Sequence, residues 1–453
     1  TNLFTYFHVG GNVWFKEFHR GTHIDKAWQS SHPPLSVTGG DYDEFYLTGL
    51  YKAVTKTNDD AECYINGGRF GIVAGTGMEG IGDDKNDANT KGNIVWQIQH
   101  ADIDEFYGGG INAASRVGGN ITTVITGSHV GQFCGGPKFG DMYSGKKVIT
   151  TATDCVFDTY FGAGYGGNSY STNPPPNETM TGDFGETKWN KFVNDNYKQE
   201  YKDNTNPAYK GVSTEYYYQY LPHSNNYQNV ARLFVNFVIF SLATTHSVTS
   251  TLTGCTINEN FYGGGSLGKV DGPVTSTLNN CTVKGNVFGA GYSATLPTVE
   301  VMNTGGFVKA PYYDSNLGVY MEPTYPDTVT YNWQYSSTTV NSTNTAIDKT
   351  NHILYTNVDL SHTNLGTVTG KATLTLNGTT VGTLEGEEGS QTLKADTGNV
   401  YGGGDQSTVS NSTTPTNAQT EVTIKGASQI RGNVFGGGNQ GLVSGSTTVN
   451  IQN

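Results

Sequence analysis

Charge is scarce in this chain of 453 residues. Asp, Glu, Lys and Arg together make up 14%, against about 25% in an ordinary soluble domain. Positive charge is scarcest, with 26 Lys plus Arg against 39 Asp plus Glu and a formal net charge of −13. A nucleic-acid-binding surface needs a basic stripe, so that function class is excluded. There are five cysteines and no CxxC pair, too few for a disulfide scaffold of this length and the wrong spacing for a zinc ribbon or a thioredoxin-like site. No apolar run is long enough to cross a bilayer as a helix: Leu233 to Ala243 is about half of the ~20 residues required, and Asn236 interrupts it. Heptads, a collagen period and a charged-then-apolar leader are also missing. The chain opens at Thr1, which leads us to expect a processed or partial form.

What is abundant is glycine, at 61 residues, and aromatics, at 12%. They occur together as a repeated block, an aromatic followed by Gly-Gly-Gly or Gly-Ala-Gly. Its first glycines are Gly108, Gly162, Gly263, Gly289, Gly402 and Gly436, with a weaker copy at Gly135 and a trace at Gly71. From Gly108 to Gly135 is 27 residues, from Gly135 to Gly162 is 27, and from Gly263 to Gly289 is 26. The flanks repeat too, as Gly285-Asn286-Val287, Gly398-Asn399-Val400 and Gly432-Asn433-Val434. Between blocks, stretches such as Thr373 to Leu376 and Thr420 to Ile424 alternate apolar and polar residues, the period of a strand with one buried face.

Short strands at a fixed ~27-residue period, without hairpin turns or crossover helices, predict an all-β coil: a right-handed parallel β-helix in which equal positions stack. A β-sandwich with glycine-rich turns is the competing arrangement. In the coil, each block glycine is expected at a sharp corner with positive φ, and the aromatic before it in the interior. Cys63, Cys255 and Cys281 lie eight residues before Gly71, Gly263 and Gly289, and Cys155 lies seven before Gly162. This spacing predicts one ladder of buried thiols, with a Cys255–Cys281 disulfide as the alternative.

The repeat is expected to fill residues 61–453, with residues 1–60 as an N-terminal cap or the end of an upstream domain. Two long gaps, Gly162 to Gly263 and Gly289 to Gly402, mark insertions at about 168–245 and 294–365. The first is expected to hold a short helix from about Glu186 to Tyr201, with Trp189, Phe192, Val193 and Tyr197 on one face. The strand at Thr447 stops in mid-pattern, so the coil is expected to continue or be capped, and an open end would favour end-to-end self-association.

The blocks Gly432-Asn433-Val434-Phe435-Gly436-Gly437-Gly438-Asn439 and Gly398-Asn399-Val400-Tyr401-Gly402-Gly403-Gly404-Asp405, with their Thr-rich strands, resemble the glycine-rich-repeat, adhesin-like cell-surface proteins of Bacteroidota. Phe133 to Asp141 and Ser241 to His246 share the likeness, which covers most of 61–167, 248–293 and 366–453. The resemblance implies a right-handed parallel β-helix, export and outer-membrane-attached surface display; it carries over no catalytic residue.

The candidate sites follow from residue chemistry. Aromatics in the insertions, namely Trp189, Tyr216, Tyr217, Tyr218, Tyr312, Tyr313 and Trp333, suit stacking on sugar rings or contact with a surface protein; packing against the solenoid wall is the alternative. Asp83, Asp84 and Asp87 form a candidate Ca²⁺ site, and no other cofactor is expected. Asp102 and Asp104, followed by Glu105, form the best carboxylate cluster for an enzyme acting on polysaccharide, with Asp41, Asp43 and Glu44 next. His19 and His23 have the spacing of two helical zinc ligands but lack a third. The expected role is a structural, adhesive solenoid that displays Tyr-rich loops to host or microbial glycan or to other cells. The alternatives are a carbohydrate-active enzyme on the same scaffold and a filament subunit.

Overall fold

A computed structural model describes residues 35–48, 60–76, 92–111, 115–172, 230–294 and 365–452 except 412, 415 and 417; elsewhere it describes short strands only, and over 168–241 and 299–358 the backbone alone. The described residues are all-β, with no α-helix. They fall into two compact units, one of residues 1–167, 241–294 and 362–453, the other of 168–240 and 295–361.

The first unit is built on two parallel sheets between which the chain alternates. The first sheet has eleven strands, ordered as in the sequence from His8–Val9 through Ile121–Thr126 to Thr447–Ile451. The second runs alongside from Trp14–His19 through Asp102–Gly110 and His129–Cys134. After Val156–Phe161 each of its strands divides into two short pieces, such as Thr256–Ile257 and Phe261–Tyr262. A third set of parallel contacts, Val270 with Val368, Val368 with Val409 and Val409 with Val443, lies along the segments that return from the second sheet to the first. Four strands upstream of residue 61, among them Leu35–Val37 and Asp41–Tyr46, belong to these same sheets, so the stack begins earlier than the repeat in the sequence suggests.

Register is kept across both long gaps. Val148–Thr153 pairs directly with Val248–Thr253, and Val274–Asn279 with Ala372–Asn377, each over six consecutive residues. The alternating pattern then places like residues above one another. Phe106, Phe133, Tyr160 and Phe261 form an interior ladder with ring centroids 4.9 Å apart. Across the core the first sheet turns in Trp96 beside Phe106, then the smaller Thr123, Thr150 and Ser250 on the three following turns. Further along the stack the ladder position becomes Val287 and Val400, and the first sheet turns in Ser276, Leu374 and Val422.

Two expectations about the block are corrected. The aromatic just before each glycine does not fill the main core. Tyr107, Phe161, Tyr262 and Phe288 form a second buried cluster, and the last three stack with Tyr401 and Phe435 at 4.9–5.0 Å. Nor do the block glycines turn through positive φ. They are required by close approach: a Cβ on Gly108, Gly162, Gly263 or Gly402 would stand 2.1–2.5 Å from the carbonyl oxygen of the glycine one turn on. Positive φ recurs instead at the other corner, between the first and second sheets, where His100, Gly127, Asp154, Gly254, Asn280, Gly378 and Gly426 occupy equivalent positions at φ 52–65°, and at Leu267, Gln406 and Gln440 just after three of the blocks. Gly, Asn, Asp and His are the residues that tolerate this left-handed conformation.

The asparagines before the blocks also have a structural task. Asn260, Asn286 and Asn399 each accept, through Oδ1, a backbone N–H from the asparagine one turn on, at 2.7–3.0 Å.

In the second unit, Trp189–Phe192, Tyr216–Leu221, Val230–Leu242 and Gly306–Lys309 pair antiparallel in that order. The helix expected around Glu186 to Tyr201 is therefore a strand over Trp189–Phe192, the rest of that span lying outside the described residues. An aromatic-rich partner strand favours extended pairing over the isolated helical pattern. Because Gly306–Lys309 comes from the second insertion and the other strands from the first, the two insertions share one sheet.

Candidate functional site

Several titratable groups of the first unit share the outer face of its second sheet. Asp102–Gly110 begins with Asp, Ile, Asp, and the burial alternates exposed, buried, exposed, so Asp102 and Asp104 share the solvent side. His129 stands one turn on, paired with Asp102. Its Nδ1 lies 2.7 Å from Asp102 Oδ1 and its Nε2 lies 3.6 Å from Asp158 Oδ1. The hydrogen bond to Asp102 raises the His129 pKa, and the Asp158 charge adds to this, against a smaller opposing effect of burial. Gly131 lies between Asp104 and Asp158 along the stack and keeps its own backbone in close contact with the carbonyl of Asp104.

Beside this array is a second network. Glu105 accepts hydrogen bonds from the Tyr107 hydroxyl at 2.7 Å and from Lys138 Nζ at 3.1 Å, and Gln132 donates to the Tyr107 oxygen at 2.8 Å. Lys138 lies over the Tyr107 ring, 4.7 Å from its centroid. Burial, with the Cys134 and Glu105 neighbours, drives the Tyr107 pKa far up, so its hydroxyl stays protonated and serves as a donor. The carboxylate cluster seen in the sequence is therefore engaged: Asp102 holds His129, and Glu105 holds Tyr107 and Lys138. The pattern Asp-x-Asp-Glu-Phe-Tyr recurs at 41–46, where the Tyr46 hydroxyl donates to Glu44 at 2.6 Å. The face offers hydrogen-bond donors and acceptors over the buried rings of Tyr107 and Tyr46, which suits polar contacts to a polyhydroxylated ligand. His129 adds a proton donor or acceptor.

His129 was not among the residues the sequence singled out. The signal was present, since Asp102 and His129 are separated by 27 residues, one repeat.

The aromatics chosen from the sequence lie in the second unit. Trp189 is paired with Gln219, and Tyr216, Tyr217 and Tyr218 with Val235, Phe234 and Leu233. Tyr312 and Tyr313 belong to a separate two-stranded ladder, and Trp333 to another, opposite Val340. Strand pairing thus unites Trp189 with Tyr216 to Tyr218 and leaves Tyr312, Tyr313 and Trp333 in other sheets. Asp83, Asp84 and Asp87 lie outside the described residues, and among the described residues no group of three His, Cys, Asp or Glu could hold a metal ion. His19 and His23 are in two different strands, not on a helix.

Of the cysteines, Cys155, Cys255 and Cys281 do stack at the corner between the sheets, each donating to the carbonyl two residues earlier. Cys63 is elsewhere, on the first sheet beside Trp96. All five cysteines are buried and none is in a disulfide. Ser128 precedes Cys155 in the ladder and Thr379 follows Cys281, and both also donate to the carbonyl two residues earlier. Hydrogen bonding to Cys255, then burial, raises Cys155 and Cys281, while Cys255, flanked by both, is lowered relative to them.

Comparison with protein-family models, with curated proteins and with solved structures gives no match. Among the described residues no helix is long and apolar enough to cross a membrane.

Proposed function

We propose that this chain is part of an exported cell-surface protein, a right-handed parallel β-helix that serves as a stiff column and displays the unit formed by 168–240 and 295–361 for adhesion. The ligand class is host or microbial glycan, or a surface protein. The observation that carries the reading is how the chain leaves the stack and returns. Ala243 N donates to Tyr165 O at 2.9 Å, so the first excursion departs and rejoins at one point. At the second, Gly366 comes so close to Tyr292 that a Cβ there would lie 2.1 Å from its carbonyl oxygen. Excursions pinched at the base leave the ladders on either side in register, and such loops on a rigid scaffold are where binding residues collect.

The test is a glycan array probed, with and without Ca²⁺, by the whole chain and by a variant in which short linkers replace 168–240 and 295–361. Binding by the whole chain alone supports display by the second unit. Binding that survives the replacement moves recognition to the outer sheet face around His129. A carbohydrate-active enzyme is the second reading, favoured by the Asp102–His129–Asp158 array. Sugar release in the same screen, abolished in His129→Asn, would replace adhesion with catalysis.

A further inference from the structure

The outer face of the first sheet differs from everything else on the stack. Across the six strands from Ile94–Gln99 to Ala372–Asn377 no outward position is charged, and most are threonine. At its centre Thr249 and Thr251, Thr275 and Thr277, and Thr373 and Thr375 occupy the same two positions on three successive strands, paired without a register shift. Composition does not account for this. The outer face of the second sheet, over the same turns, carries Asp102, Asp104, Glu105, His129, Asp158 and Lys284. A solvated face ordinarily has a quarter or more of its positions charged.

The geometry is that of a doubly periodic lattice. Neighbouring strands are ~4.8 Å apart and alternate residues along a strand are ~6.7 Å apart, so the threonines form a two-dimensional grid with those repeats. Threonine is β-branched and stiff at χ1, so each residue presents its hydroxyl and methyl in a restricted set of directions. A glycan-binding face would want exposed aromatic rings; between Ile94 and Asn377 this face has none at its outward positions. A protein-binding face would want aromatic or arginine anchors in pockets, and these are missing from the same positions. What an uncharged, doubly periodic array of hydroxyls and methyls matches is another lattice of hydroxyl-sized units. Its two repeats come close to those of the oxygen atoms on the prism face of ice. We propose that the Thr face of the first sheet binds ice, by ordering water across the threonine grid.

The experiment uses the full chain and two readouts: partitioning into a slowly grown ice front, and thermal hysteresis with crystal shape. The expected result is enrichment of the chain in ice and faceted crystals. The variant Thr251→Tyr/Thr277→Tyr, which raises bulk in the middle of the grid, is expected to lose both. Thr282→Tyr, on the exposed face of the second sheet, is expected to keep both. Circular dichroism and thermal unfolding establish that each variant retains the β fold. Exclusion of the full chain from ice with no hysteresis overturns the proposal. So does full ice activity in the folded double variant. Reversible dimerisation in sedimentation that the double variant abolishes also overturns it, reassigning the face to contact between two copies.

Discussion

Replacing Gly263 with alanine tests the account of the repeated block most directly. The new Cβ would stand 2.5 Å from Gly289 O, 2.8 Å from Ser276 Oγ and 3.0 Å from Val274 Cγ1. Ordinary contact begins at 3.4 Å, so the two turns must separate by the difference, 0.9 Å. Gly263 N donates to Phe288 O at 2.9 Å and Gly264 N to Ala290 O at 3.0 Å. The same displacement would stretch such bonds to about 3.8 Å, beyond hydrogen-bonding range. Two lost bonds at about 1 kcal/mol each and overpacking of about 1–3 kcal/mol sum to a loss of about 3–5 kcal/mol. Gly437→Ala is the control, because a Cβ there meets nothing within 4 Å; it should change stability by about 0.5 kcal/mol or less. Stacked repeats can unfold in sections, so urea denaturation should be paired with hydrogen exchange of the turns on both sides. If the two variants unfold at the same urea concentration with the same protection, the close-approach explanation of the block fails.

Three further outcomes are expected. Phe133→Ala, in the interior ladder between Phe106 and Tyr160, should cost about 3–5 kcal/mol in urea unfolding, whereas Phe435→Ala, 43% exposed and stacked on Tyr401, should cost far less. In an NMR titration His129 should show a raised pKa that falls in Asp102→Asn. Because the folded value is raised, the small stabilisation is complete below the unfolded value of about 6.5 and is lost as pH rises through the folded value. Both side chains are about half exposed, so it should not exceed about 1 kcal/mol, and an unchanged titration in Asp102→Asn would refute the pairing. None of the five thiols should react with a bulky disulfide reagent until the protein is unfolded; Cys255→Ser should be nearly neutral and Cys255→Val should cost about 1 kcal/mol through the lost donation to Thr253 O.

Much of the stack is legible in the residues. Strict alternation in stretches such as Val274–Asn279 announces a strand with one buried face, and the ~27-residue spacing of the blocks announces that such strands repeat. What each repeated residue does is less legible. Glycine serves both for positive φ and for close approach, and a sequence does not say which: Gly254 serves the first purpose and Gly263 the second. Cys63 has the same offset from a Gly-containing block as Cys255, yet sits on a strand because its own turn is spaced differently. Trp189, Phe192 and Tyr197 fit a helical stripe until a tyrosine-rich strand is available to pair with. His129 attracts no notice alone and becomes part of a site only when Asp102 is placed against it.

Local chemistry, then, determined the strands, the period and which face of each strand is buried, since these depend on residues within a few positions of one another. Tertiary structure decided that strands 100 residues apart, as at Val148 and Val248, are neighbours, that the two insertions share one sheet, and that the Asp102–His129 array lies on one outer face while six strands of the other present a threonine grid. These are relations between turns, and a turn acquires its neighbours only when backbone hydrogen bonds and packing draw it onto the one before.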